Sequence, residues 1–203
     1  VEDSIANGLT ILPPDINLDA LRAFHEGEIK VRFPKVDERM VATAKFDLKA
    51  LPQVTTEAAP DGLLMRSEEE ALLVQVRLNG FTVNKFHPYV TWHELKEQTQ
   101  KLWREYVRIA RPVRVTRLAV KYTNRIELPA GHDFKESILT VPEIAPGIPQ
   151  GLPEFFMRLV IPDESGGTAI VTLSSVPPNQ GDARDTSRDV APIIFDIDAF
   201  RFV

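Results

Sequence analysis

Apolar and polar residues alternate along much of this chain, and at one place the alternation gives way to a helical stripe. Val74, Val76 and Leu78 alternate with polar neighbours, Asn79-Gly80 follows, and Phe81–Phe86 returns. That order predicts a hairpin whose Asn-Gly pair adopts the positive φ angles of a two-residue type I′ turn. Next comes a capping box, Thr91-x-x-Glu94, with Val90 and Leu95 at the two positions of a hydrophobic staple. Trp92, Leu95, Leu102, Trp103, Tyr106, Val107 and Ala110 then recur at spacings of three and four. They predict a helix over Trp92–Ala110 that stops before Pro112.

The remaining pattern is read the same way. Val1–Ile11 has strand character. Asn17 suits an N-cap, and Leu18, Leu21 and Phe24 predict a helix over 18–32, weakened at Gly27, with Ile29–Phe33 also readable as a strand, and stopped at Pro34. Met40–Leu48 reads as a strand and Leu51–Asp61 as a loop. Gly62–Arg66 and Ala71–Leu78 read as strands about the acidic tip Glu68–Glu70. Val113–Leu128 is a long strand with Leu118, Val120, Tyr122 and Ile126 on a core face and Arg117, Ala119, Lys121 and Arg125 on a basic one. Gly131–Gly151 is a loop, Glu154–Ile161 and Thr168–Val176 form a second hairpin, Pro177–Pro192 (177–192) is a mobile loop, and Ile193–Phe200 is a final strand.

Together these elements predict an α+β fold: a largely antiparallel sheet with one long amphipathic helix (92–110) and an N-terminal helix (18–32). The length, 203 residues, suits a single domain over 1–203, and the sequence carries no repeat and no linker. Phe200, Phe202 and Val203 make an apolar ending, which predicts a further C-terminal segment.

Composition then narrows the chemistry. The chain has no cysteine, which excludes a disulfide scaffold, thiolate metal sites and a cysteine nucleophile. With no apolar run near the ~20 residues that span a bilayer and no basic-then-apolar leader, the expected location is the cytoplasm, without membrane association. A net charge of −5 supplies no global field for nucleic acid, so only local patches could bind it.

Catalytic signatures are missing. There is no phosphate loop, no G-x-G-x-x-G, no G-x-S-x-G and no metal-ligand spacing, and His93-Glu94-Leu95-Lys96-Glu97 lacks the second histidine of a zinc-protease helix. His25, His87, His93 and His132 are scattered, with His87 at the corner between hairpin and helix. Asp196 and Asp198 share one side of a strand, where they could hold a divalent cation or form an ordinary solvent face. Tyr89 and Trp92 could offer a stacking platform or pack in the core. Asn124, on the core side, suits a structural hydrogen-bonding role. The best candidate patch is Arg117, Lys121 and Arg125 on one strand face, with Arg114 nearby. Three such cations can bind phosphate, nucleic acid or an acidic partner, or can salt-bridge to acids on adjacent strands.

Phe33-Pro34-Lys35-Val36, the run Asn84–Trp92, Thr116-Arg117-Leu118 with Tyr122–Ile126, and Phe195–Asp198 occur in that order. The pattern resembles a family of sporadically distributed bacterial and archaeal proteins of unestablished function, over most of the chain from about Leu18 to Phe200. The resemblance implies a mixed α+β fold that continues past Val203 into another amphipathic helix, which this sequence lacks, and it supplies no catalytic residues. A patchy distribution of that kind is associated with mobile or defence-related genes. The expectation is a non-enzymatic binding or regulatory module without a cofactor, an accessory or immunity-like component of a defence or toxin–antitoxin locus, whose partner is a protein from a neighbouring gene. Phosphate or nucleic-acid binding on the basic strand face comes second, and a metal-dependent hydrolase or nuclease using Asp196 and Asp198 third.

Overall fold

Nine strands hydrogen-bond into one antiparallel sheet in the computed structural model, which describes residues 3–47, 53–89, 91–129, 134–149, 154–175 and 190–203. In chain order the elements are β1 (Asp3–Ile11), α1 (Leu18–Arg22), α2 (Gly27–Arg32), β2 (Lys35–Asp47), β3 (Gln53–Ser67), β4 (Leu72–Arg77), β5 (Gly80–Phe86), α3 (Trp92–Ala110), β6 (Arg114–Pro129), α4 (Phe134–Ser137), β7 (Phe156–Pro162), β8 (Gly167–Ser175) and β9 (Val190–Phe202). The strand order across the sheet is β2-β3-β4-β5-β1-β6-β9-β8-β7.

This corrects the expected α+β class: the fold is mainly β. Three of the four helices among the described residues have six residues or fewer. The body of the molecule is the sheet, and α3 lies on it as a single packed helix. Thr91 caps α3 by accepting from the Glu94 N–H at 3.2 Å, and Arg111, in the left-handed region at φ 47°, closes it. Val90, the other half of the expected staple, lies outside the described residues.

Four local expectations are also corrected. The helix over 18–32 is two short ones. Asn17 caps α1, accepting from the Ala20 N–H at 2.9 Å, but the helix ends after Arg22 and helical structure resumes at Gly27. Gly27 sits at φ 54°, where a residue with a Cβ is strained, so the glycine that weakened the pattern marks the break. The loop expected over Leu51–Asp61 belongs largely to β3, whose pairing with β2 shifts register between Arg39 and Met40, opposite Gly62 and Pro60. That bulge accommodates the proline, and Asp61, left over there, pairs with Arg39. The β4–β5 hairpin turns one residue early, since Arg77 pairs with Gly80 and the loop is Leu78-Asn79, neither at positive φ. The type I′ reading is therefore wrong, and Gly80 serves packing instead: a Cβ there would stand 2.5 Å from the Gly8 carbonyl oxygen on β1. Of the expected loop 177–192, residues 177–189 lie outside the described residues, and 190–192 already belong to β9.

The sheet is built from two runs with one connectivity. In each, a first strand leads through helical turns to a meander whose last strand returns beside the first: β1, α1, α2 and β2–β5, then β6, α4 and β7–β9. β1 and β6 pair antiparallel at the centre. A half-turn about an axis between them exchanges β1 with β6, β5 with β9, β4 with β8 and β3 with β7, leaving β2 without a counterpart.

Each run has its own core, both on the same face of the sheet. In the first, α1 and α3 cover Met65, Val74, Val76, Phe81 and Val83 with Leu21, Phe24, Leu95, Leu102, Tyr106 and Ala110. Each large side chain buried there contributes about 1.5–3 kcal/mol before entropy is counted. Tyr106 meets its polar demand inside this core: its hydroxyl donates to the Arg77 carbonyl at 3.1 Å and accepts from Thr10 at 2.9 Å, and burial pushes its pKa up. In the second run Ile138, just after α4, packs with Leu128, Leu173 and Ile193. Among the described residues no helix is long and apolar enough to cross a membrane.

Candidate functional site

Strand register decides which side chains share a face. Arg117, Lys121 and Arg125 do lie together, on the sheet face opposite α3. Each also meets an acid there. Arg117 stands 3.3 Å from Asp198 with its guanidinium 4.4 Å from the centre of the Phe200 ring, Lys121 is 3.0 Å from Asp196, and Arg125 is 3.3 Å from Glu127. Asp3 on β1 joins the group: burial, the largest influence, raises its carboxyl pKa, and Lys121 opposes that rise. Four carboxylates thus face three cations. Arg117 and Arg125 are also eight residues apart, about 27 Å along the strand, too far to share one phosphate.

The other candidates disperse. Asp196 and Asp198 are engaged by Lys121 and Arg117, and among the described residues no group of three or more acids or histidines could hold a metal ion. The His25 ring nitrogen bonds the Phe33 carbonyl at 2.7 Å, His93 approaches Glu97 at 3.3 Å on the exposed side of α3, and His87 is exposed. His132 lies outside the described residues. Asn124 donates to the Phe195 carbonyl at 3.1 Å, the structural role expected of it. Tyr89 packs edge-on against Tyr122, ring centres 5.5 Å apart, with their hydroxyls 3.1 Å apart.

A site that the sequence pattern did not single out lies on the α3 face. One cross-strand row runs Val83, Ala6, Val120, Ala199, Ala169, Ile161, and the next runs Phe81, Gly8, Leu118, Arg201, Gly167. Under α3 these rows are closed, with Val83 0% and Phe81 2% exposed. Past β1 they open, and Leu118 is 52% exposed. The small residues Ala6, Gly8, Ala169, Ala199 and Gly167 make a low floor between two walls. One wall is α3, through Trp92, Lys96, Thr99, Gln100 and Trp103; the other is the β7–β8 hairpin, through Ile161 and Pro162. The result is an apolar trough of about 830 Å³. Trp92, expected in the core, stands 45% exposed at its lip, while Trp103 packs against the core and Phe81 as well as lining the trough.

The hairpin wall is pinned at its tip. Asp163 accepts from the Ser165 N–H at 3.0 Å and from the Ser165 hydroxyl, bonds that hold its carboxyl below the usual carboxylate range, and Gly166 takes the turn at φ 86°. Sequence reasoning missed the trough because each strand, taken alone, reads as ordinary core. Leu118 and Val120 were assigned to a buried face, and only the register reveals that nothing among the described residues covers Leu118. The available signal was the run of small residues at alternate positions of β1, Ala6 and Gly8, which leaves a floor with little side-chain height.

No protein-family model matches this chain, and no curated protein is similar to it.

Proposed function

We propose that this chain is a cytoplasmic, non-enzymatic binding module, and that the trough is where it receives a protein partner. The observation that carries the reading is an apolar, part-open surface at the middle of the sheet, beside strands β4 and β5 whose same face is buried under α1 and α3. Folded chains rarely leave large apolar surface uncovered without a use for it. Aromatic residues at the lip of such a surface, here Trp92 and Trp103, are the side chains that most often anchor interfaces. The basic strand face is the weaker candidate, since its cations are already engaged by Asp198, Asp196 and Glu127. The resemblance to sporadically distributed bacterial and archaeal proteins supports looking for the partner among neighbouring genes, in a defence-related or toxin–antitoxin setting.

The test is co-expression with the flanking gene products and co-purification. A complex is expected with the native chain and at least about tenfold weaker binding with Leu118→Arg combined with Ala199→Arg, since both positions are exposed and a long cation there fills the trough. Binding that survives the double substitution would overturn the proposal, as would absence of any complex.

A further inference from the structure

We infer that β7 is a self-association edge: two copies of this chain pair antiparallel along Phe156–Pro162, about a two-fold axis at Leu159. This joins two sheets into one and goes beyond the reading of the trough.

The first ground is a vacancy inside the fold. The half-turn that exchanges the two runs leaves β2 without a counterpart, and the place a counterpart would take is the outer edge of β7. In chain order it would fall between α4 and β7, where the described residues, 138–149 and 154–155, form no strand. β2 lies antiparallel to β3. The strand wanting beside β7 is therefore an antiparallel one.

The second ground is the chemistry of the edge. The Asp163 N–H donates to the Gly167 carbonyl at 2.9 Å, and the Ser175 N–H donates to the Phe155 carbonyl at 3.1 Å. These bonds fix the alternation along the hairpin. Odd-numbered residues turn their backbone groups toward β8, and Phe156, Arg158, Val160 and Pro162 turn theirs outward. All of these but the proline offer both an N–H and a C=O. The side chains are open too, with Phe156 71%, Val160 56% and Ile161 48% exposed. Sheet edges that must stay single are commonly blunted by charge. β2, the other outer strand, carries Lys35, Asp37, Glu38, Arg39, Lys45 and Asp47, whereas β7 carries Arg158 alone.

The third ground is self-complementarity, which selects a second copy as the occupant. With the axis at Leu159, Phe156 stands opposite Pro162 of the second copy, and Arg158 stands opposite Val160. Arg158 and Val160 exchange both backbone bonds, and Pro162, which has no donor, only accepts from Phe156 at the end of the pairing. Leu159 meets its own copy, with Met157 opposite Ile161 on the same face. An axis at 158 would set two arginines directly opposite each other. An axis at 160 would set Arg158 opposite Pro162, which has no N–H to return. Pairing of β7 with β2 is head-to-tail and does not close, and the charges of β2 oppose it. The isologous pairing closes at two copies and leaves only the charged β2 edges outermost.

The chain has no cysteine, so the register can be read by single cysteines. At Leu159→Cys the two thiols face each other across a non-hydrogen-bonded pair, with Cα atoms about 4.5 Å apart, within reach of a disulfide. At Val160→Cys they are offset by two residues, which places the Cα atoms beyond the ~7 Å limit. Each chain is oxidised under native conditions, and sedimentation measures association of the native chain, Val160→Lys and Val160→Glu. Position 160 is exposed and its backbone does not bond β8, so both charged variants keep the fold. The expected result is a dimer of the native chain, a crosslinked dimer from Leu159→Cys and none from Val160→Cys. The Val160→Lys dimer should be at least about tenfold weaker than the Val160→Glu dimer, because lysine faces Arg158 of the second copy and glutamate pairs with it, twice per dimer. A native chain that stays monomeric up to about 100 μM would overturn the inference. So would a dimer that crosslinks through position 160 and not 159, or one indifferent to the sign of the charge at 160.

Discussion

The two runs of strands follow the same path, yet one is closed and the other open. Over β5 and β1 a helix seals the sheet, leaving Phe81 and Val83 at 2% and 0% exposure; over β6 and β9 the same sheet face leaves Leu118 at 52%. Connectivity therefore does not set burial. What differs is the layer above, and with it the use to which apolar residues are put. In the first run they hold the fold together. In the second, those of the trough are left uncovered by the described residues, while Leu128, Leu173, Ile193 and Ile138 keep the far end packed.

The largest expected effect separates the two regions directly. Phe81→Ala should cost about 3–5 kcal/mol in urea denaturation, because it empties a site walled by Phe24, Trp103 and Tyr106. Leu118→Ala in the isolated chain should cost about 0.5 kcal/mol or less, as at other exposed positions. Equal costs would mean that the trough is as closed as the core. Next in size is Gly80→Ala, at about 1–3 kcal/mol by the same measurement, because its Cβ would force β5 away from the Gly8 carbonyl. No loss there would show that close approach across the β5–β1 seam is not required.

The smallest effect concerns the polar face at the centre of the sheet. Burial raises the Asp3 pKa above its ordinary value, so the folded state binds that proton more tightly than the unfolded chain does. The resulting stabilisation is full below the ordinary carboxylate pKa and is lost as pH rises through the raised value. Relative to Asp3→Asn, the native chain should therefore lose stability as pH increases across that window. A difference that grows with pH instead would contradict the burial of Asp3 beside Lys121 and Asp196.

Much of this structure was legible in the pattern of residues, where the deciding interactions are local. Thr91 with Glu94 and the three-four spacing of Leu95, Leu102, Tyr106 and Ala110 specify α3 on their own, and the alternations in β1, β4, β5 and β6 specify strands. Misreadings arose where pairing between distant segments took over. β2 begins with Lys35, Asp37, Glu38 and Arg39, a polar edge that hides its strand character, and β3 absorbs Pro60 at a bulge that only its partner defines. Fold class failed for the same reason, since a helix announces itself locally while the number and order of strands do not. The candidate site was the least legible part. Arg117, Lys121 and Arg125 were placed correctly on one face, but their acids come from β1, β9 and two residues down β6. The trough depends on residues from six strands and α3.

The natural absence of cysteine permits one direct measurement of the central claim, that the second run leaves its sheet face open. Single Leu118→Cys and Val83→Cys chains, otherwise identical, would be labelled with a thiol reagent under native conditions and the rates compared. The predicted result is rapid labelling at position 118 and labelling at 83 at least about tenfold slower, limited by opening of the covered core. Equally slow labelling at both positions would mean that the trough is already covered, and would contradict the account.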